Sequence, residues 1–91
     1  MQYVYILKSS KDQRYYIGCT KDLIRRFTEH NKGQNESTKN GCPWELVCYR
    51  LFNSQAQAYI EEKRIKSFKG GNAFKKIIKG DVSEWSNVPL C

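Results

Sequence analysis

The chain has 91 residues, too few for two hydrophobic cores, because a domain of this size buries only about 60–65 % of the surface that its unfolded form exposes. With 40 % hydrophobic and 27 % charged residues it is not compositionally disordered, and no stretch is long and apolar enough to span a bilayer. Sixteen Lys and Arg against nine Asp and Glu leave a net charge of +7, a field that favours polyanions, with nucleic acid ahead of anionic membrane as the partner class.

The start MQYVYILKSS lacks the regions of a signal peptide, so the cytoplasm is the expected compartment. From Gln2 to Leu7 nearly every residue is aromatic, β-branched or aliphatic, the pattern of a strand covered on both faces. SSKDQ is turn-like, and RYYIGC resumes strand character, so the two segments form a hairpin. A turn centred on Ser10 and Lys11 places Tyr5 opposite Tyr16.

Asp22 is a suitable N-cap for the helix LIRRFTEHN, whose Leu23, Ile24 and Phe27 form a stripe to be buried. Arg26 and His30, four apart, share one edge of that stripe, whereas Arg25 points into solvent. NKGQNESTKNGCP is the long loop, read as a substrate-contacting flap. WELVCYRLF is the third strand. Ser54 caps a second helix that ends at Gly70 and Gly71, and a short third helix runs from Asn72 to Gly80. The expected architecture is α+β: a small three-stranded antiparallel sheet flanked by helices, a domain over residues 1–80.

The tail 81–91 has no usable periodicity and is expected to lie outside the core. The codons of Gly80 to Trp85 can also spell a stretch like the start of a bacterial serine tRNA, as a reading frame running into a tRNA gene would encode. Between Lys63 and Lys79 there are seven basic residues and no acidic one, either a solvated face or a phosphate-tracking surface. Cys19, Cys42, Cys48 and Cys91 contain no CxxC pair, which argues for reduced thiols rather than a metal cage.

The strand YVY, the segment YIG, an arginine ten residues after Tyr16 and a histidine four beyond it resemble the GIY-YIG nuclease superfamily over roughly residues 2–78. The chain looks closest to the small single-domain bacterial members and more distantly like the excision-repair incision subunit and some restriction and homing endonucleases. The resemblance implies catalytic roles for Tyr5, Tyr16, Arg26, His30 and Glu62, with Glu62, inside Ala58-x-x-x-Glu62-x-x-Ile65-Lys66, as the metal ligand. Gly18 is the glycine of YIG, and Asn72 corresponds to a later polar position. Together with the basic residues Lys63, Lys66, Lys69, Lys75 and Lys76 these make the DNA-binding set. Tyr3 and Val4 replace the first two residues of GIY, and Cys19 stands where the repair nucleases carry a lysine.

The chemistry so implied is hydrolysis of DNA phosphodiester bonds assisted by Mg²⁺ or Mn²⁺, structure-selective or weakly specific, at flaps, branches or single strands. Glu62 anchors the ion, and the fork of Arg26 donors matches phosphate oxygens. A free tyrosine is only about 0.1 % ionised at pH 7, so a relay through Tyr5 or Tyr16 to His30 suits the base better than a lone phenolate. Taken singly, each residue has a structural explanation: core tyrosines, a bulge glycine, solvated helix charges. Periodicity even places Glu61 nearer the apolar stripe than Glu62. The alternatives are a nucleic-acid-binding module lacking activity for want of the lysine at Cys19, or a basic domain that docks on an acidic protein.

Overall fold

The computed structural model describes residues 1–34, 39–80 and 85–87. Strand β1 (Gln2–Ser9) pairs antiparallel with β2 (Tyr15–Thr20) on one side and with β3 (Trp44–Phe52) on the other. Helix α1 (Leu23–Asn31) connects β2 towards β3, and α2 (Gln55–Ser67) and α3 (Asn72–Ile78) follow β3. This is the expected α+β arrangement. A two-residue strand β4 (Ser86–Asn87) extends the sheet to the order β2-β1-β3-β4. Among the described residues no helix is long and apolar enough to cross a membrane.

Because side chains alternate along a strand, central β1 serves two cores. Val4 and Ile6 face a cluster with Ile17, Ala58, Ile65, Phe74 and Ile77, beneath α2 and α3. Tyr5 and Leu7 face the other way, packing with Trp44, Leu46 and, from α1, Leu23 and Phe27. A fully buried aliphatic or aromatic side chain contributes roughly 1.5–3 kcal/mol, so these two layers hold the sheet between its helices.

Three expectations are corrected. Tyr5 pairs with Gly18, and Tyr16 with Leu7. The turn centres farther along because buried Ser9 accepts at Oγ from the backbone N–H groups of Lys11 (3.1 Å) and Asp12 (3.3 Å), with Gln13 in the left-handed region at φ 65°. Ile24 is 80 % exposed; the buried side of α1 runs instead through Leu23, Phe27 and His30, since a narrow stripe cannot contain two adjacent residues 100° apart equally. Part of the tail is core: Trp85 is 4 % exposed within the α2–α3 cluster, and Ser86 and Asn87 pair with Tyr49 and Cys48.

Both predicted caps form: Asp22 Oδ1 accepts from Arg25 N (3.2 Å) and Ser54 Oγ from Gln57 N (3.2 Å). Of the expected flap, residues 35–38 lie outside the described set. Its second half is anchored, with Ser9 Oγ donating to the carbonyl of Gly41 (2.6 Å).

Candidate active site

The site begins with a glycine. Gly18 lies across from Tyr5, and a Cβ there would stand 2.5 Å from the Tyr5 hydroxyl, 2.6 Å from Tyr5 Cζ and 3.0 Å from Tyr16 Cε1. Only a residue without a side chain leaves room for the phenol. Tyr16, two residues back on β2, presents its ring on the same face, with centroids 6.3 Å apart.

Helix α1 closes over these rings. His30, fully buried, holds Nε2 2.9 Å from Tyr5 Oη, and its ring lies 4.9 Å from that of Tyr16. The end of the helix is tied to β3 by Asn31, whose Oδ1 accepts from Trp44 N (2.5 Å) and whose Nδ2 donates to Trp44 O (3.1 Å). These bonds fix the height of His30 above the sheet. Burial, then the nearby positive charge of Arg26, holds the imidazole below its ordinary value of 6.5 against the opposing charge of Glu29, so His30 is neutral at pH 7. Burial pushes the Tyr5 phenol well above its usual 10.0, with Tyr16 and Glu62 adding in the same sense and Arg26 opposing.

The adjacent arginines differ as their helical positions require. Arg25 exposes 76 % of its side chain and pairs with Glu29 (3.1 Å). Arg26 exposes 42 %, donates from Nη1 to Glu29 (3.3 Å) and lies close enough to Tyr5 to bias its ionisation. Its Nε is buried without a hydrogen-bond partner among the described residues. A buried guanidinium N–H left unmatched is a donor waiting for an acceptor.

Glu62 arrives from the opposite layer. It can do so because β2 is the edge strand: α2 packs against one face, α1 covers the other, and both reach the exposed rim of β2. The Glu62 carboxylate hydrogen-bonds the Cys19 thiol, raises the pKa of Tyr5 and accepts from Lys66 Nζ at 2.8 Å. The Cys19 thiol is raised by burial first and by Glu62 next, so it remains protonated. Sequence reasoning noted the missing lysine at Cys19 and missed this contact, which depends on how α2 sits across β2. Glu61, the carboxylate nearer the stripe, has a different setting. Its two oxygens bind Arg64 at 2.7 and 2.8 Å, Arg50 lies 3.4 Å away, and these cations hold it below the usual carboxylate range.

The basic residues divide. Lys66 and Lys69 border the site: Lys66 on Glu62, and Lys69 with Nζ 2.5 Å from the carbonyl of Tyr15. Lys63 lies over the Tyr59 ring (5.1 Å) on the outer face of α2. Asn72, Lys75, Lys76 and Lys79 line a separate cleft of about 340 Å³ along α3. The structure therefore brings together Tyr5, Tyr16, Gly18, Arg26, His30 and Glu62, with Lys66 and Lys69 beside them, and leaves Lys63, Asn72, Lys75 and Lys76 outside that cluster.

No group of three or more His, Cys, Asp and Glu able to cage a metal occurs among the described residues. A single partly exposed carboxylate fits a hard divalent ion that keeps most of its water. Glu62 is 17 % exposed at the side chain and paired with the Lys66 ammonium at 2.8 Å.

A family model described as the GIY-YIG catalytic domain matches residues 1–76. The chain belongs to the GIY-YIG family, a superfamily of nucleases whose members generally use divalent metals and act on DNA. It is similar to a UPF0213 protein of Staphylococcus saprophyticus, 37 % identical over 79 residues that cover 86 % of this chain and 95 % of the relative. A UPF0213 protein of Haloquadratum walsbyi is 39 % identical over 67 residues, covering 72 % and 74 %. The solution NMR structure of a UPF0213 protein from Bacillus halodurans superposes with a TM-score of 0.56 at 30 % identity, covering 87 % of this chain and 84 % of that one.

Proposed function

We propose that this chain is a divalent-metal-dependent endonuclease that hydrolyses DNA phosphodiester bonds with structural selectivity or weak sequence specificity. The observation that carries the reading is the buried Tyr5–His30 hydrogen bond beside an arginine with an unmatched Nε, with the charge of Glu62 felt at the same phenol from the other layer.

In this reading Glu62 holds Mg²⁺ or Mn²⁺. The bound ion supplies charge stabilisation at the scissile phosphate and leaving oxygen. Arg26 gives its free Nε–H to a phosphate oxygen and orients the group. Tyr5 positions a water. As the water oxygen bonds to phosphorus and the ester P–O bond breaks, the water's proton passes to Tyr5 Oη and the phenolic proton to His30 Nε2. The leaving oxygen is protonated from solvent. Transfer through the phenol avoids a standing phenolate, which burial disfavours, and ends on an imidazole that burial has kept neutral. Tyr16 packs on the imidazole and orients it. The lysines of α3 and Lys63 track the backbone away from the cut, which supports DNA binding without base reading.

Purified protein incubated with branched, flapped and single-stranded DNA and Mg²⁺ or Mn²⁺ tests the proposal beside Glu62→Ala and Arg26→Ala. Equal cleavage by wild type and Glu62→Ala would assign the activity to a contaminant. The Lys66–Glu62 bond and the thiol at Cys19 favour one second reading, a DNA-binding module whose carboxylate is already engaged. Metal-independent binding with no cleavage of any substrate distinguishes it.

A further inference from the structure

A groove of about 460 Å³ opens on the α1 side of the sheet, walled by Tyr3, Leu23, Ile24, Leu46 and Tyr49, with Lys21 at its rim. It shares Lys21 and Asp22 with a second, polar cleft of about 260 Å³ that reaches Arg25 and Arg26. The two clefts form one trough leading from the apolar groove to Arg26.

Strand geometry sets the step along it. Tyr3 and Tyr5 project from the same face of β1 two residues apart, roughly 7 Å, a distance comparable to one nucleotide step of an extended strand. Tyr49 is the β3 partner of Tyr5, so the groove adjoins the reacting centre. The rings of Tyr3 and Tyr49 meet edge to face, 5.9 Å apart at 64°, and a flat heteroaromatic can stack on one while touching the edge of the other. Ile24, 80 % exposed on the wall, is apolar surface with no cover within the described chain.

Charge favours the same occupant. Asp22 is engaged in capping α1, and Glu29 is bound by both arginines. Lys21 makes no ion pair among the described residues. The trough thus offers cations for a backbone and, at one end, an aromatic and aliphatic slot.

We infer that the Tyr3–Tyr49 groove seats an unpaired nucleobase next to the phosphate held at Arg26, so that the substrate carries a single-stranded segment at the cut. The inference rests on the nuclease reading of the site and names its substrate class. A base inside a duplex stays stacked on its neighbours and cannot enter the groove; a flap or single strand presents one freely.

The test uses the full chain in EDTA, with short single-stranded oligonucleotides carrying one 2-aminopurine and with a blunt duplex. Wild type should quench the 2-aminopurine. Tyr3→Ala and Ile24→Asp should restore its emission and weaken single-strand binding roughly 5- to 150-fold, the range for losing one stacked base, with little change in duplex binding. Ile24→Asp, on an exposed position, does not threaten the fold. Single-strand affinity and quenching unchanged in both variants would overturn the groove assignment while leaving the nuclease reading standing. Absence of any DNA binding by wild type would overturn both. A change of oligomeric mass in Ile24→Asp without loss of oligonucleotide binding would reassign the groove to a second copy of the chain.

Discussion

Tyr5 Oη and His30 Nε2 lie 2.9 Å apart inside the protein, twenty-five residues distant in sequence, and their ionisations are displaced in opposite directions. If this pair relays the proton, cleavage should rise with pH through a midpoint below about 6.5, the ordinary imidazole value, and then level. His30→Asn should lose roughly 10²- to 10⁴-fold in rate and the acid limb with it. A retained acid limb in that variant removes His30 from the chemistry.

The same imidazole makes a stability prediction. The unfolded chain binds a proton near pH 6.5 that the folded chain refuses until lower pH, so the contribution of His30 is fully present above that pH. It is lost progressively as pH falls below it. Denaturant melts from pH 7.5 down to 5 should show a decline that His30→Asn lessens; identical slopes would mean the imidazole is solvated.

The two neighbouring glutamates should separate stability from activity. Glu61→Gln, which breaks a nearly buried pairing with Arg64 and Arg50, is expected to cost about 1–2 kcal/mol, discounted because both arginines are partly exposed, and to keep most activity. Glu62→Gln should leave the melt within about 0.5 kcal/mol and abolish metal-dependent cleavage. The reverse pattern would exchange their roles.

Gly18→Ala should destabilise by roughly 1–3 kcal/mol, because the new methyl meets the Tyr5 ring and its backbone cannot move without disturbing the β1–β2 pairing. Tyr5→Leu removes the obstruction. The double variant should therefore be less destabilised than the sum of the single ones, and strict additivity would place the strain elsewhere.

Trp85→Ala should cost about 3 kcal/mol by chemical denaturation, as expected for a large side chain removed from a core. An unchanged midpoint would return residues 85–87 to the periphery.

Much of this molecule is legible in its sequence. The hydrophobic run of β1, the Asp22 and Ser54 caps and the inequality of Arg25 and Arg26 follow from local geometry, which sequence carries directly. The hairpin register did not follow, since it depends on a buried serine closing a turn around itself. Ile24, expected in the buried stripe, is exposed, and His30, expected at its edge, is fully buried, because burial on α1 depends on which arc of the helix meets the sheet. The core role of Trp85 was hidden because one aromatic in an aperiodic tail has no pattern to announce it.

By itself the order of residues determined the kinds of element, their caps and the chemical set of tyrosines, arginine, histidine and glutamate, all properties of short spans of chain. Only the tertiary structure decided that β2 is the rim of the sheet. There α1 brings His30 to the Tyr5 phenol, Gly18 leaves it room, and α2 carries Glu62 to Cys19 on the same strand. Proximity between distant segments arises from packing, and packing is a property of the whole domain.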